Sequence, residues 1–307
     1  MAQLTTTSTR RAPSTATAVS VLAGAVLALS VAAPLVRLAH APPLVVATWR
    51  LGLAVLIVAG LAWTTGTWRQ LQRLSRRDVG LGVTAGIALA AHFWSWIASL
   101  GMTSVAASVV LVNLQPVFVA AGSAWWLAER PTSRQWSGVL LAALGAVVVG
   151  AGDWHAAPST GALGGRALLG DALALVGAVT AALYYLIGRR LRTSLDLWPY
   201  TTLVYGSCFA TLLAAAAATG APLWPLPSGD LAIFVGLAAG PMLIGHTGMN
   251  WALAHLPAYV VNLTVLGEPI GATLLAWWIP SIGEAPGVAT VAGGALVLAG
   301  AIRTARR

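Results

Sequence analysis

Charged side chains are scarce in this sequence, lysine is absent and cysteine occurs once. Only 8% of the 307 residues are charged, whereas a soluble domain has roughly 25%, so the chain cannot cover a folded surface with polar groups. The single Cys208 excludes an intramolecular disulfide and a cysteine-based metal site, and it is most simply a small buried residue. An enzyme would need a nucleophile with a base or clustered metal ligands. The acidic residues are scattered and no HExxH or GxSxG motif occurs, so we expect no catalytic residue, no metal and no cofactor.

Hydrophobic residues make up 58% of the chain and come in long uncharged runs. A helix of about 20 residues crosses the hydrocarbon core of a bilayer. The runs therefore predict an all-α integral membrane protein with ten transmembrane helices. These predicted helices lie near residues 18–37, 43–64, 80–100, 104–126, 132–151, 169–188, 197–219, 230–254, 257–279 and 285–303.

The predicted helices divide the chain into two similar halves. A Ser/Thr/Ala-rich tail, residues 1–17, precedes the first half and is typical of a disordered segment. The first half covers residues 18–152 and the second covers residues 169–303. The longer connection 153–168 joins them, and residues 304–307 form a short second tail.

The distribution of arginine predicts the orientation in the membrane. With ten spans and both termini in the cytoplasm, fourteen arginines lie on the cytoplasmic side and only Arg37 and Arg166 on the other side. We therefore expect a multi-pass protein of the inner, or plasma, membrane, and the net charge of +9 reflects topology rather than nucleic-acid binding. The fourteen are Arg10, Arg11, Arg69, Arg73, Arg76, Arg77, Arg130, Arg134, Arg189, Arg190, Arg192, Arg303, Arg306 and Arg307.

An internal repeat relates the two halves. ERPTSRQWSG, which starts at Glu129, matches EAPGVATVAG, which starts at Glu284, and the match continues into the fifth and tenth helices. The pair Gln115-Pro116 corresponds to Glu268-Pro269, and AWW follows in both halves. Gly82, Gly86 and His92 match Gly236, Gly240 and His246 at one constant offset. LAGAV in the first predicted helix also matches LVGAV in the sixth.

Each half has an odd number of predicted spans, so the second half should be inverted relative to the first. Secondary transporters are commonly built from such inverted repeats, with the solute site near the midplane between them. The sequence therefore predicts two inverted five-helix repeats around a central cavity.

Several stretches carry a resemblance to a known family: TWRLGLA around Arg50, SVAASVVLVNLQPVFVAAGSAWWLAERP, HTGMNWALAHLPAYVVNLTVLGEPIGATLLAWW and GEAPGVATVAGGALVLAG. Over residues 18–303 the chain resembles the drug/metabolite transporter superfamily and, within it, the EamA-type transporters. The resemblance implies a cavity lined by the first, third, fourth, sixth, eighth and ninth helices. It also implies transport, often outward, of a small molecule such as an amino acid, a related metabolite or a drug. The expected partners are thus the small-molecule solute and the lipid bilayer. The sequence does not determine the oligomeric state, and a homodimer is one possible state.

Ionisable side chains at membrane depth should face protein or water, so they are candidates for function. Glu268 lies in the middle of the ninth helix, where it is expected either to couple protons or bind a cationic group, or to form a helix-to-helix hydrogen bond beside Pro269. Its counterpart Gln115 is neutral. Arg50 could bind a carboxylate through two parallel hydrogen bonds or form a switchable pair with Glu268. It could also form a structural pair or extend to the outer interface.

His92 and His246 are expected on opposite walls of the cavity, because the repeat relates them. Each could relay protons or simply be a neutral histidine bonded to a carbonyl. Polar and aromatic residues on nearby turns are second-rank candidates, since aromatic residues on membrane helices more often pack than bind. These are Asn250, Trp96, Trp94, Trp251, Thr247, Tyr184 and Tyr185.

Other repeated features have a structural interpretation. The pairs Gly82/Gly86 and Gly236/Gly240 have GxxxG spacing, which favours close helix packing. Glu129 and Glu284 are interpreted as ordinary acidic residues at the beginnings of helices. A membrane enzyme and a non-transporting receptor, scaffold or channel-like facilitator are the alternatives to a transporter, because a fold does not determine a function.

Overall fold

The computed structural model describes residues 13–129, 131–156 and 163–305. Within these ranges the chain has no strands, and its long helices overlap the ten predicted segments. The structure differs from the prediction in two places: the predicted connection 153–168 is helical at 153–156 and 163–168, and a short helix, Arg69–Gln72, lies between the second and third segments. Parts of the predicted tails (1–12 and 306–307) and of the connection (157–162) lie outside the described residues. The helical segments are α1 (Thr15–Leu38), α2 (Pro43–Thr64), α3 (Arg76–Leu100), α4 (Val105–Leu127), α5 (Ser133–Ala156), α6 (Leu163–Arg192), α7 (Leu197–Thr219), α8 (Asp230–Ala252), α9 (Ala258–Trp278) and α10 (Val288–Ala305).

By length and composition, eight of these segments can cross a membrane: α1 to α4 and α6 to α9. In α10 a shorter apolar stretch covers Val291–Gly300. Large apolar side chains lie on the outer surface as well as in the core: Leu27 and Leu56 are each 71% exposed. Such a surface is stable in lipid and not in water, so this is a multi-pass membrane protein.

Serine side chains set the beginnings of three helices. Ser14, Ser75 and Ser104 each accept a hydrogen bond, 3.1 Å long, from the backbone N–H three residues later. Because of these caps, α1 begins three residues earlier and α3 four residues earlier than the hydropathy predicts.

Helices α4 and α9 are both interrupted in the middle, at repeat-related positions. In α4 a turn at residues 113–114 precedes Gln115-Pro116. In α9 a 3₁₀ turn, Val265–Gly267, precedes Glu268-Pro269. A proline lacks the N–H that would continue the helix ladder, so the α-helical hydrogen-bond pattern of both helices is interrupted beside these polar residues.

The helices pack in pairs that join the first half to the second. Helix α1 packs on α8, α2 on α7, α3 on α6, α4 on α9 and α5 on α10. At the α5–α10 contact, a Cβ atom at Gly145 would lie 2.5 Å from the carbonyl oxygen of Gly293. At its repeat counterpart, Gly300, a Cβ would lie 2.4 Å from the carbonyl oxygen of Gly138. Glycine is therefore required on both helices for their backbones to touch.

The two GxxxG pairs differ in their packing. A Cβ at Gly86 would lie 2.7 Å from the carbonyl oxygen of Val204, so this glycine allows α3 to approach the α7 backbone. At Gly236 and Gly240 the nearest atoms are 3.5 and 3.9 Å away, which are ordinary contacts. Close packing at a GxxxG pair is thus a property of the first half.

Candidate functional site

A small polar cavity lies where the two halves meet, in the middle of the bundle. Its volume is about 30 Å³, room for only a few water molecules. Residues of α1, α2, α3, α4, α6, α8 and α9 line it, which adds α2 to the six helices that the family resemblance implies. The lining residues are Leu29, Ala32, Arg50, His92, Trp96, Val112, Asn113, Gln115, Tyr185, His246, Val265 and Glu268.

Two larger cavities, of about 330 and 260 Å³, have almost wholly apolar linings. Their walls include Leu56 and Val291, which are 71% and 60% exposed on the outer helix surfaces. These cavities therefore face lipid, and the charged groups that could recognise a solute are in the small central one.

Arg50 is the most unusual residue of the central cavity. Its side chain is fully buried, and none of its three guanidinium nitrogens has a hydrogen-bond partner in the protein. The guanidinium carbon lies 4.2 Å from the centre of the Phe93 ring, a cation–π contact. Arg50 thus does not extend to the outer interface, and its hydrogen-bond donors are left free for a bound group.

Glu268 lies in the same cavity at the start of the second part of α9, and it is 7% exposed. Its carboxylate accepts one long hydrogen bond, 3.4 Å, from the side-chain amide of Asn113. Arg50 and Glu268 are not hydrogen-bonded to each other, since the Arg50 nitrogens have no such partner. The cavity therefore contains a guanidinium and a carboxyl group that do not pair with each other.

The two repeat-related histidines are neighbours in the cavity, with ring centres 6.1 Å apart. Both line it, His92 from α3 and His246 from α8. The Nδ1 atom of His92 lies 2.9 Å from the carbonyl oxygen of Gly177, whereas the Nδ1 atom of His246 has no partner. Trp96 stacks on His92 with its indole N–H unpaired.

Asn250, Thr247 and Tyr184 form a second polar layer that does not line the cavity. The Asn250 amide donates to the hydroxyls of Tyr184, at 2.5 Å, and Tyr205, at 3.2 Å. Tyr205 and Thr247 share a further hydrogen bond of 3.0 Å. This network supports the cavity wall, and the aromatic residue of α6 that reaches the cavity is Tyr185.

Two sequence candidates do not belong to the site. Trp94 is 45% exposed on the outer surface of α3, because two residues along a helix correspond to a rotation of about 200° from Trp96. Trp251 directly follows Asn250, so it is rotated from it by about 100°. It packs against His255, with ring centres 4.8 Å apart.

Sequence reasoning missed two polar residues of the site region, Asn113 and Tyr205. Asn113 interrupts an apolar run two residues before Gln115, which is a usable signal for a broken membrane helix. Tyr205 has no such signal, since its role depends on the packing of α7 against α8.

Two ion pairs, each extended by backbone hydrogen bonds, connect the halves on either side of the cavity. In the first, which we name the Arg37 clamp, Arg37 pairs with Glu284 and donates to the carbonyl of Leu100 at 2.7 Å. The backbone N–H of Val105 donates to the same Glu284 carboxylate at 2.9 Å.

The second, the Arg189 clamp, repeats this arrangement at the corresponding positions. Arg189 pairs with Glu129 at 2.6 Å and donates to the carbonyl of Leu253 at 2.7 Å. The backbone N–H of Ala258 donates to Glu129 at 3.0 Å. The two glutamates, expected from the sequence to be ordinary helix-start acids, are therefore contacts between the halves.

Among the described residues, no group of three or more His, Cys, Asp or Glu side chains is placed to hold a metal ion.

The model of the EamA-like transporter family matches the sequence twice, over residues 16–151 and 168–305. Among curated proteins, no sequence matches the chain. One solved structure, described only as a crystal structure of a protein, is similar with a TM-score of 0.69 and 20% identity, over 95% of this chain and 97% of that chain. At this identity the likeness shows the fold alone. Because the two family matches together cover most of the sequence, the protein belongs to the EamA-like transporter family.

Proposed function

We propose that this protein is a secondary transporter that moves a small solute with a carboxylate, such as an amino acid or related compound, out of the cell. Its central cavity is the binding site, Arg50 binds the carboxylate, and Glu268 carries the coupled proton. Outward transport follows the common behaviour of the family that the sequence resembles.

The unpartnered guanidinium of Arg50 carries this proposal. A buried polar group without a hydrogen bond is costly, and a native protein that keeps one usually uses it. The planar guanidinium matches a carboxylate through two parallel hydrogen bonds, which are strong in a site that excludes water. Glu268 then faces the rest of the solute, where it accepts a proton or contacts an ammonium group.

Alternating access is supported by the way the two halves contact each other. In the proposed protein of ten spans, both termini lie in the cytoplasm. During its transport cycle, one half rocks against the other around the fixed site. The pairs α1–α8 and α3–α6 exchange under the internal repeat, as expected when the halves are inverted copies. The excess of arginine on one side supports the cytoplasmic location of the termini.

The test is transport by the purified protein in liposomes, with and without a pH gradient. The panel pairs each amino acid with its amide and with its decarboxylated amine, so that loss of the carboxylate is the only change shared by both analogues. We expect saturable uptake with counterflow for the acids. We also expect Arg50→Gln to lose the preference for acid over amide, and Glu268→Gln to lose the dependence on the pH gradient.

Trp94→Phe provides the control, since this side chain lies on the outer surface of α3 and should leave both properties unchanged. Unaltered coupling in Glu268→Gln excludes that residue as the proton site. Flux without saturation or counterflow indicates a channel, and the absence of flux for every solute favours a receptor or scaffold.

A further inference from the structure

The two clamps share one design, although their residues are far apart in sequence. The Arg37 clamp takes its arginine, carbonyl and N–H from the first half and its glutamate from the second. The Arg189 clamp takes its arginine, carbonyl and N–H from the second half and its glutamate from the first. Each clamp therefore holds the halves together.

The clamps lie at opposite ends of α4. This helix begins at Val105, in the Arg37 clamp, and ends two residues before Glu129, in the Arg189 clamp. Its 23 residues span about 34 Å. Helix α9 begins at the other end, at Ala258 in the Arg189 clamp. The cavity residues of α4 and α9 are near the middle of each helix, so the cavity lies between the clamps.

The cavity of about 30 Å³ is too small for an amino acid. A solute therefore enters only when the halves separate at one end, and separation at that end breaks the clamp there. Each clamp glutamate also accepts the first N–H of a cavity-lining helix, α4 or α9. Its release therefore removes a bond that holds the start of the helix carrying Asn113 or Glu268.

We propose that the Arg37 and Arg189 clamps are the two gates of transport, closed in turn, and that each one controls access to the central cavity from its own face of the membrane. This inference rests on the transport function proposed above. The arginine distribution assigns the Arg37 clamp to the outer face and the Arg189 clamp to the cytoplasmic face.

The experiment measures access to the cavity from each face. A Cys208→Ala background carries Ala32→Cys as the only thiol, since Ala32 lines the cavity and is 2% exposed. Sealed vesicles of known orientation are treated with a membrane-impermeant thiol reagent added on one side. We expect Arg37→Gln to raise the labelling rate from the outer face by about fivefold or more and to lower it from the cytoplasmic face. Arg189→Gln should have the opposite effect.

Exposed arginines on the same two faces provide matched controls. Arg166→Gln and Arg77→Gln should leave both labelling rates unchanged, because both side chains are exposed. The conservative variants Arg37→Lys and Arg189→Lys, which keep the charge, should restore most of the wild-type rates. Labelling in detergent verifies that each variant is folded with its cavity thiol intact.

The proposal is overturned if the labelling rates of both glutamine variants equal those of the wild type. It is also overturned if both variants shift the labelling rates in the same direction. The assay contains no solute, so it is independent of transport. Opposite shifts in a protein that moves no solute support the gates and reject the transport function, whereas solute flux with unshifted labelling rejects the gates alone.

Discussion

Two buried arginines of this protein should respond in opposite ways to the same substitution. Arg50 is fully buried and makes no hydrogen bond, whereas Arg192 is 2% exposed and donates to the carbonyls of Asn250 and Leu195. Arg50→Met and Arg192→Met both remove a buried charge and leave an unbranched apolar side chain. A general effect of charge or of side-chain length is therefore the same in the two variants.

The structure indicates the size of each effect. An unsatisfied buried donor costs about 1–3 kcal/mol, and the contact of Arg50 with Phe93 recovers about 2 kcal/mol. Because Arg50 has three such nitrogens, their cost adds to about 3–9 kcal/mol. After the Phe93 contact is subtracted, replacing Arg50 should stabilise the fold by about 1–7 kcal/mol. Replacing Arg192 removes two charge-assisted hydrogen bonds and leaves two carbonyls unsatisfied, so it should destabilise the fold by about 3 kcal/mol.

Thermal unfolding of the purified protein in detergent measures both changes. The melting temperature should rise for Arg50→Met and fall for Arg192→Met, and transport of carboxylate solutes should be lost in Arg50→Met. Addition of a transported acid should stabilise the wild type and leave Arg50→Met unaffected, because a ligand stabilises only the protein that binds it. A fall in melting temperature for both variants would refute the reasoning, since it would mean that Arg50 has a structural partner.

Two further predictions concern packing and the second polar layer. Gly145→Ala should destabilise the α5–α10 contact by about 1–3 kcal/mol, because its Cβ would lie 2.5 Å from the carbonyl oxygen of Gly293. Gly294→Ala, on the same helix pair but with no atom within 4 Å of its Cβ, should be neutral or stabilising, and equal melting temperatures for the two variants would contradict this. Asn250→Leu should cost about 1–3 kcal/mol, because the hydroxyls of Tyr184 and Tyr205 lose their shared donor. Adding Tyr205→Phe should then cost less than it does in the wild type, and strictly additive losses would show that the two residues are not coupled.

The sequence alone was sufficient to locate the membrane helices and the principal residues of the cavity. A run of apolar residues long enough to cross a bilayer has no stable alternative to a helix in lipid, so hydropathy identifies it locally. Arg50, His92, His246 and Glu268 were predicted by the same logic, because an ionisable group at membrane depth has to face protein or water. All four line the central cavity.

Only the tertiary structure decided which of several similar residues reaches that cavity and which polar groups pair. Trp94 and Trp96 are the same residue type two positions apart. The rotation of α3 places Trp94 toward lipid and Trp96 toward the site. Arg37 and Glu284 are separated by 247 residues and meet only because α1, α4 and the segment before α10 converge at one end of the bundle. Helix rotation and long-range pairing depend on the packing of all the helices together, and no local pattern of residues encodes them.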